Sequence, residues 1–371
     1  MFNEIDNKNQ FNDKKNGYTV DQKEGGEGPS SDLKVKDEVG LNDRFVFWNK
    51  SVLYIHPWHG DTYRVINQGI IEELRNLVRE VYTAKAEENV VSLAAELRPD
   101  LLLVLLGDTF PIDQVKAIRE MGIKTAVWFT DDPYYTDVTT NLAPYYHYVF
   151  TQEISCVSYY QLLGCPQVHY LPLAVNTKVF HYQKARKDNS IPIDVCFMGS
   201  GWNNRISLFD EIAPFLSKKN TLIVGSRWDR MRNYHLLSDK IRFGFLSPSE
   251  SARLINQSKI VINNHRLYDD TTLFNRNSNK LTALSINPRT FEISACGAFQ
   301  LSDIRQELQR YYEIGKEIET YKSPSELTEK IDYYLNHDEE RNTIAQRGYI
   351  QTLKSHTYTK RLSTLLKLIY G

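Results

Sequence analysis

The chain has 371 residues, with 45 Lys+Arg against 46 Asp+Glu, a formal net charge of −1 and 41% hydrophobic residues. That length exceeds one ordinary core and suits two domains, and the balanced charge argues against a general nucleic-acid binder, which needs a basic field for phosphates. The longest apolar run, Leu101 to Leu106, falls well short of the ~20 residues of a membrane-crossing helix, so no span is expected.

The opening MFNEIDNKNQ has neither the basic nor the apolar region of a signal peptide, so a soluble, cytoplasmic protein is expected. Residues 1–44 are dominated by Asn, Asp, Lys, Glu, Gly and Ser, with GGEGPSS at 25–31. Too little apolar surface is available there to offset ordering entropy, which predicts a disordered tail. The four cysteines, Cys156, Cys165, Cys196 and Cys296, form no C-x-x-C pair and have no His cluster beside them. Reduced, buried thiols are expected, and no metal site.

From residue 45 strands and helices alternate. SVLYI (51–55) reads as a buried parallel strand, and Ile66, Ile70, Ile71, Leu74, Leu77 and Val78 recur at helical spacing. A second helical run over about 86–97 ends at Arg98-Pro99, and LLLVLL (101–106) is the next strand. A short helix from Asp113 to Met121 is closed by Gly122, followed by strands KTAVWF (124–129) and HYVFT (147–151). A helix to Leu163, closed by Gly164, and VHYL (168–171) complete this half. The order β-α-α-β-α-β-β-α-β implies a parallel sheet with right-handed crossovers.

Pro172 to Ser190 reads as a joint, after which the alternation restarts. IDVCFMG (193–199), TLIVG (221–225), KIRFGFL (240–246), KIVINN (259–264) and AFQLS (298–302) read as strands, with helices over about 203–217, after Ser247-Pro248-Ser249-Glu250, and over 290–296 closed by Gly297. Beyond Pro324 the chain is helical to its end. The expected architecture is α/β: two Rossmann-like domains with parallel sheets facing a cleft, over 45–175 and 176–371. The last helix is the segment placed to cross back to the first domain.

In open parallel sheets ligands bind beyond the carboxyl ends of the strands. In the first half those positions hold His56, His59, Gly60 and Asp61, then Gly107 and Asp108, then Asp131, Asp132 and Pro133. A carboxylate there serves as a base or orients a sugar hydroxyl, although Asp-Pro also favours a plain turn. In the second half, Gly199-Ser200-Gly201 entering a helix suits a pyrophosphate through its amides and the helix dipole, and Arg205 adds a cation on the first turn. The richest cluster is Asn287 to Ala298. Arg289 and Glu292, three residues apart, form either a surface ion pair or a phosphate cation and a ribose-binding carboxylate. Tyr134, Tyr135, Tyr145, Tyr146 and Tyr148 either stack on an acceptor sugar or pack at a domain rim.

NPRTFEISACGAFQLSD, the following YYEIGKEIETYKSPSELTEKIDYYLNHDEERNTIAQRGY and HTYTKRLSTLL resemble the CgeB-like spore-maturation proteins, themselves similar to nucleotide-sugar glycosyltransferases of the GT-B fold. The resemblance is strongest over about 285–366 and extends through VCFMGSGWNNR, KIVINNHR and VWFTDDPYY. It implies a nucleotide-sugar donor, a UDP-sugar first of all, held by the second domain, and a sugar or protein acceptor on the first. It implies no cofactor and no metal, in keeping with the missing D-x-D motif. By position it places Glu292 on the donor ribose, Arg289 at the donor phosphates, Gly297 closing the helix, and Gly199, Ser200 and Arg205 in the first donor loop. Retaining members often carry a second glutamate eight positions earlier, where this chain has Leu284. For an inverting course Asp131 or His59 is the expected base. A same-fold nucleotide-sugar epimerase and a sugar-binding structural protein without turnover are the alternatives.

Overall fold

The computed structural model describes residues 45–57, 60–183, 193–272 and 275–371; the expected tail, His59 and most of the charged joint lie outside the described residues. The first lobe runs β1 (Trp48–His56), α1 (Gly60–Leu77), β2 (Val78–Lys85), α2 (Val90–Leu97), β3 (Leu101–Leu105), α3 (Ile112–Glu120), β4 (Lys124–Phe129), α4 (Thr136–Thr139), β5 (Tyr148–Thr151), α5 (Ser155–Leu162) and β6 (Val168–Tyr170). All its strands are parallel, in the order β2-β1-β3-β4-β5-β6.

The second lobe runs β7 (Ile193–Met198), α6 (Asn203–Leu216), β8 (Thr221–Val224), β9 (Ile241–Arg242), α7 (Pro248–Asn256), β10 (Ser258–Asn263), α8 (Pro288–Ala295), β11 (Phe299–Asp303), β12 (Glu319–Tyr321), α9 (Pro324–Asn336), α10 (Asp338–Ser355) and α11 (Tyr358–Tyr370). Its parallel order, β12-β11-β10-β7-β8-β9, reverses direction between β7 and β10, the switch point of a doubly wound sheet.

Covering both faces of each sheet explains the unbroken apolar strands. Leu53, Ile55, Leu102 and Val104 pack on one face of the first sheet, and Val52, Tyr54, Leu101 and Leu103 on the other. That second face is completed by Tyr358, Leu362, Leu365, Leu366 and Ile369 of α11, so the end of the chain returns to the first lobe. Tyr146 is buried in the first core, a packing role among the candidate tyrosines.

Three strands differ from the sequence reading. The helix placed through Val78 stops at Leu77, and the chain turns directly into β2, an edge strand of which only Val78 and Ala84 are buried. β12 is likewise a short edge strand. A half-solvated edge such as β2 needs no continuous apolar run, and β12 is only three buried residues, two of them the polar Glu319 and Thr320, so neither stands out in the sequence. The strand placed at 240–246 contracts to Ile241–Arg242, leaving Phe243 and Phe245 exposed.

Between β10 and α8 the chain leaves the second lobe and lies against the first as a strap. Arg276 exchanges backbone hydrogen bonds with Tyr134 and Asp137 (2.8 and 2.9 Å). Thr136 Oγ1 bonds Asn277 at 3.1 Å, Ser278 Oγ donates to Asp137 at 2.8 Å, and Leu281 packs on the first core.

Candidate functional site

The loop after β7 is shaped by its neighbour rather than by an open anion cradle. Gly199 and Gly201 donate their amides to the carbonyls of Val224 and Ser226, both at 2.8 Å, and Trp202 donates to Ser200 at 2.9 Å. A Cβ at Gly225, whose φ is +150°, would come within van der Waals overlap of the Gly199 carbonyl. The amides of Gly199 and Gly201, expected to be free for a phosphate, are therefore engaged instead by the β8 loop, which lies so close that Gly225 has no room for a Cβ. The N-terminus of α6, whose N-cap Trp202 makes no side-chain capping bond, still faces the strand ends.

Arg205 knits this crevice together. Its Nε donates to the Asn264 carbonyl at 2.8 Å and its Nη1 to Ser200 at 3.0 Å, and the guanidinium stacks on Phe197. Burial pulls its pKa down to about 10, with Asp303 opposing the shift. It tethers β7 to β10 first, and meets a ligand only with the donors left over.

At α8, Asn287 caps the first turn by accepting from the Thr290 amide at 3.0 Å. Asn287 is locked to Asn263 at the end of β10 (3.0 Å), and Asn263 reaches Gln300 at 2.8 Å. This amide lattice fixes the start of the helix on the sheet. Arg289 and Glu292 stand on that start as an ion pair of 2.8 Å, their side chains 29% and 20% exposed. Arg289 is close enough to Arg205 for the two charges to oppose each other. Gly297 lies at the other end of α8, with φ +67° and Tyr182 3.1 Å from where a Cβ would sit. It closes the helix, as expected, at the end opposite Arg289 and Glu292.

The structure adds residues that the sequence reading passed over. Arg266, after β10, has its guanidinium 4.6 Å from the Tyr134 ring of the first lobe and 4.3 Å from the Trp202 ring of the second. Arg227, after β8, lies 5.2 Å from the same indole. Arg227, Trp202, Arg266 and Tyr134 thus alternate cation and ring across the cleft. Burial lowers the Arg266 pKa, with Asp270, Tyr134 and Asp131 opposing the shift. Beside it the His265 Nδ1 pairs with Asp303 at 2.5 Å, and Asp303 lies 3.6 Å from Arg305. Strand-end reasoning, applied also after β8 and β10, points to Arg227 and to Asn264-His265-Arg266.

On the first lobe Asp131 is exposed after β4 and accepts the Tyr63 hydroxyl at 3.1 Å; that hydroxyl also lies 2.8 Å from Thr130 Oγ1. Burial, then Asp131, raises the Tyr63 pKa, keeping it a neutral donor. Its neighbour Asp132 is buried, bonded to Thr151, Thr139 and Tyr160, and burial pushes its pKa up to about 6. Asp131 faces the cleft and Asp132 the core.

The four cysteines are buried free thiols. Among the described residues no helix is long and apolar enough to cross a membrane, and no three His, Cys, Asp or Glu residues cluster as metal ligands.

A glycosyl transferase-like family model matches residues 194–367. The chain is 30% identical over 325 residues to the spore protein CgeB of Bacillus subtilis (strain 168), covering 86% of this chain and 98% of that one. The glycosyltransferase from Rickettsia africae ESF-5 has a similar structure, with TM-score 0.59 at 11% identity, over 87% of this chain and 99% of the other. Anabaena Alr3699/HepE in complex with UDP-glucose gives 0.59 at 12% identity, over 86% and 99%. With two parallel-sheet lobes in the GT-B arrangement and this identity along most of its length, the chain belongs to the CgeB-like spore protein family.

Proposed function

We propose that this protein is a glycosyltransferase that takes a nucleoside-diphosphate sugar, a UDP-sugar first of all, on its second lobe and passes the sugar to an acceptor on the first. The observation that carries the reading is the first turn of α8: Arg289 and Glu292 stand together on a rigidly capped helix start at the strand-end face of the second sheet. A guanidinium and a helix N-terminus suit a diphosphate, and a carboxylate suits a ribose diol. The Bacillus relative and the solved GT-B structures, one of them holding UDP-glucose, support the same reading.

The leaving group is a nucleoside diphosphate, which departs readily once its charge is met. Arg289, with Arg266 and Arg227 nearby, neutralises it without calling on a metal. Donor binding replaces the Arg289–Glu292 ion pair, freeing the carboxylate for the ribose. On an inverting course Asp131 takes the acceptor proton, with Tyr63 holding it in place; on a retaining course it orients the acceptor. We assign the work to the cytoplasm, and its product to the spore or cell-surface polysaccharide or glycoprotein.

UDP, UDP-glucose and UDP-N-acetylglucosamine are expected to raise Tm, and Glu292→Ala to abolish the rise. If no nucleotide sugar shifts Tm, the reading fails. The missing first glutamate, with Leu284 in its place, motivates the reading of a sugar-binding structural protein, which binding without turnover across a broad acceptor panel would favour; the same-fold epimerase is the other alternative. Acceptor-free conversion of the donor, followed by NMR, would establish it.

A further inference from the structure

Glu153 follows β5 in the first lobe and is only 2% exposed, yet among the described residues it has no ion-pair partner. Its carboxylate accepts the amide of Ser155 at 3.1 Å and then reaches across the lobe boundary. It accepts the Leu284 amide at 3.2 Å on each oxygen and the Ser285 amide at 3.1 Å. Two further bonds close the same contact: the Ile154 amide donates to Ser285 Oγ at 3.1 Å, and Ser155 Oγ donates to the Thr282 carbonyl at 2.7 Å.

A carboxylate this deep is costly unless its lone pairs are filled, and here backbone amides fill them. Burial raises its pKa while those amides pull the other way. The amides are not arbitrary ones. Leu284 and Ser285 end the strap, and Asn287, the cap of α8, follows two residues later, with Arg289 and Glu292 on the turn it caps. Other strap contacts with the first lobe, at Arg276, Asn277, Ser278, Asn279 and Leu281, lie farther back along the chain. Glu153 thus holds the one part of the strap whose placement sets the donor-facing turn.

We propose that Glu153 is a positioning residue for the donor site: entering from the first lobe, its carboxylate fixes the backbone of Leu284 and Ser285 and through it the first turn of α8 with Arg289 and Glu292. This rests on reading that turn as the donor site. It makes the acceptor-side lobe a structural part of donor recognition, adding a hold from the first lobe to those that the Asn263–Asn287 lattice and the Arg305 and Glu307 bonds to the Ala283 and Leu284 carbonyls give from the second. It also accounts for a leucine at 284, because that position contributes its amide rather than a side-chain carboxylate.

Wild type, Glu153→Gln, Glu153→Asp and Tyr160→Phe are compared by amide hydrogen exchange and by calorimetric titration with UDP. Glu153→Gln, which leaves fewer acceptor sites for the same amides, is expected to speed exchange over 284–291 and to weaken UDP about tenfold. Glu153→Asp keeps the charge one methylene short and is expected to fall between. Tyr160→Phe removes a buried hydroxyl of the same lobe, bonded to Asp132 at 2.9 Å, and is expected to lower Tm with UDP affinity unchanged. The proposal is overturned if folded Glu153→Gln exchanges like wild type over 284–291. It is overturned equally if the UDP loss is absent or matched by Tyr160→Phe. Should Glu153→Gln not fold, Glu153→Asp carries both readouts. If wild type takes up no UDP, the donor reading fails, and exchange over 284–291 still decides whether Glu153 positions α8.

Discussion

Each lobe is a six-stranded parallel sheet with its first strand beside its switch point, but the loops beyond the two sheets carry different chemistry. The second lobe presents guanidinium groups at successive strand ends: Arg205, Arg227, Arg266, and Arg289 on α8. The first presents Asp131, Thr130 and the Tyr63 hydroxyl. Apolar strands set both scaffolds and leave the loops free to differ, so on the function proposed above charge assigns the anionic donor to one side and the acceptor proton to the other. The lobes are also unequal partners. The second completes the first with α11 and the strap, and receives Glu153 and Tyr134 in return.

The largest effect is expected where that inequality is greatest. Leu366 is fully buried on α11, against the first sheet. Leu366→Ala should destabilise the protein by about 2–5 kcal/mol in urea unfolding, as buried leucine truncations do. Hydrogen exchange should show protection lost first in β1 and β3 rather than in β7 and β10. A loss under about 1 kcal/mol would mean that α11 is peripheral to the first core.

The lobes also differ in the sign of their buried titrating groups. Asp132 in the first lobe has its folded pKa raised by burial to about 6, so stability is full below its ordinary carboxylate range and falls as pH rises through 6. His356, between α10 and α11, has its pKa lowered to about 4, first by burial among Phe291, Tyr311 and Tyr312 and then by Arg361. Its contribution is full above the ordinary histidine range and is lost as pH falls toward 4. Each amounts to about 3 kcal/mol at most, and over pH 4–6.5 they oppose each other. Asp132→Asn should therefore uncover a stability loss toward acid, and His356→Gln a gain toward acid, in urea titrations at pH 4.5 and 7. Parallel slopes in the two variants would refute the pairing.

What the sequence reveals follows the same divide between local and assembled features. The central strands are legible because burial on both faces writes one apolar run, as in LLLVLL; β2, half-solvated at its edge, and β12, three residues of which Glu319 and Thr320 are polar, leave no such mark. Arg289 and Glu292 are legible because Asn287-Pro288 announces a helix start beside them. The Gly-Ser-Gly loop misleads, because whether its amides are free depends on the β8 loop that lies against it. The Arg266 stack and the Glu153 contact are not legible, since Tyr134 and Leu284 each come from the opposite lobe.

A division of labour between lobes predicts a split in binding and turnover. Arg289→Ala should weaken UDP by about 10–100-fold, the range of a charge-assisted contact of about 1.5–3 kcal/mol, as read by calorimetry. Asp131→Asn should leave UDP within about twofold while removing transfer, if the course is inverting. UDP loss in Asp131→Asn comparable to that in Arg289→Ala would erase the distinction between a donor lobe and an acceptor lobe.

The smallest expected effect separates the two ends of α8. Gly297 adopts φ +67° at the end away from the capped first turn, with Tyr182 3.1 Å from the site of a Cβ. Alanine there meets both a left-handed backbone and a ring edge that has to give a little, which should cost about 1 kcal/mol. The eight residues of α8 lie between this turn and Asn287, and the amide lattice through Asn263 and Gln300 holds the first turn independently. Gly297→Ala should therefore lower Tm by a few degrees with UDP affinity unchanged. If instead it weakened UDP as Arg289→Ala does, strain at the far end would be reaching the first turn, and the lattice would not be the anchor that these contacts make it.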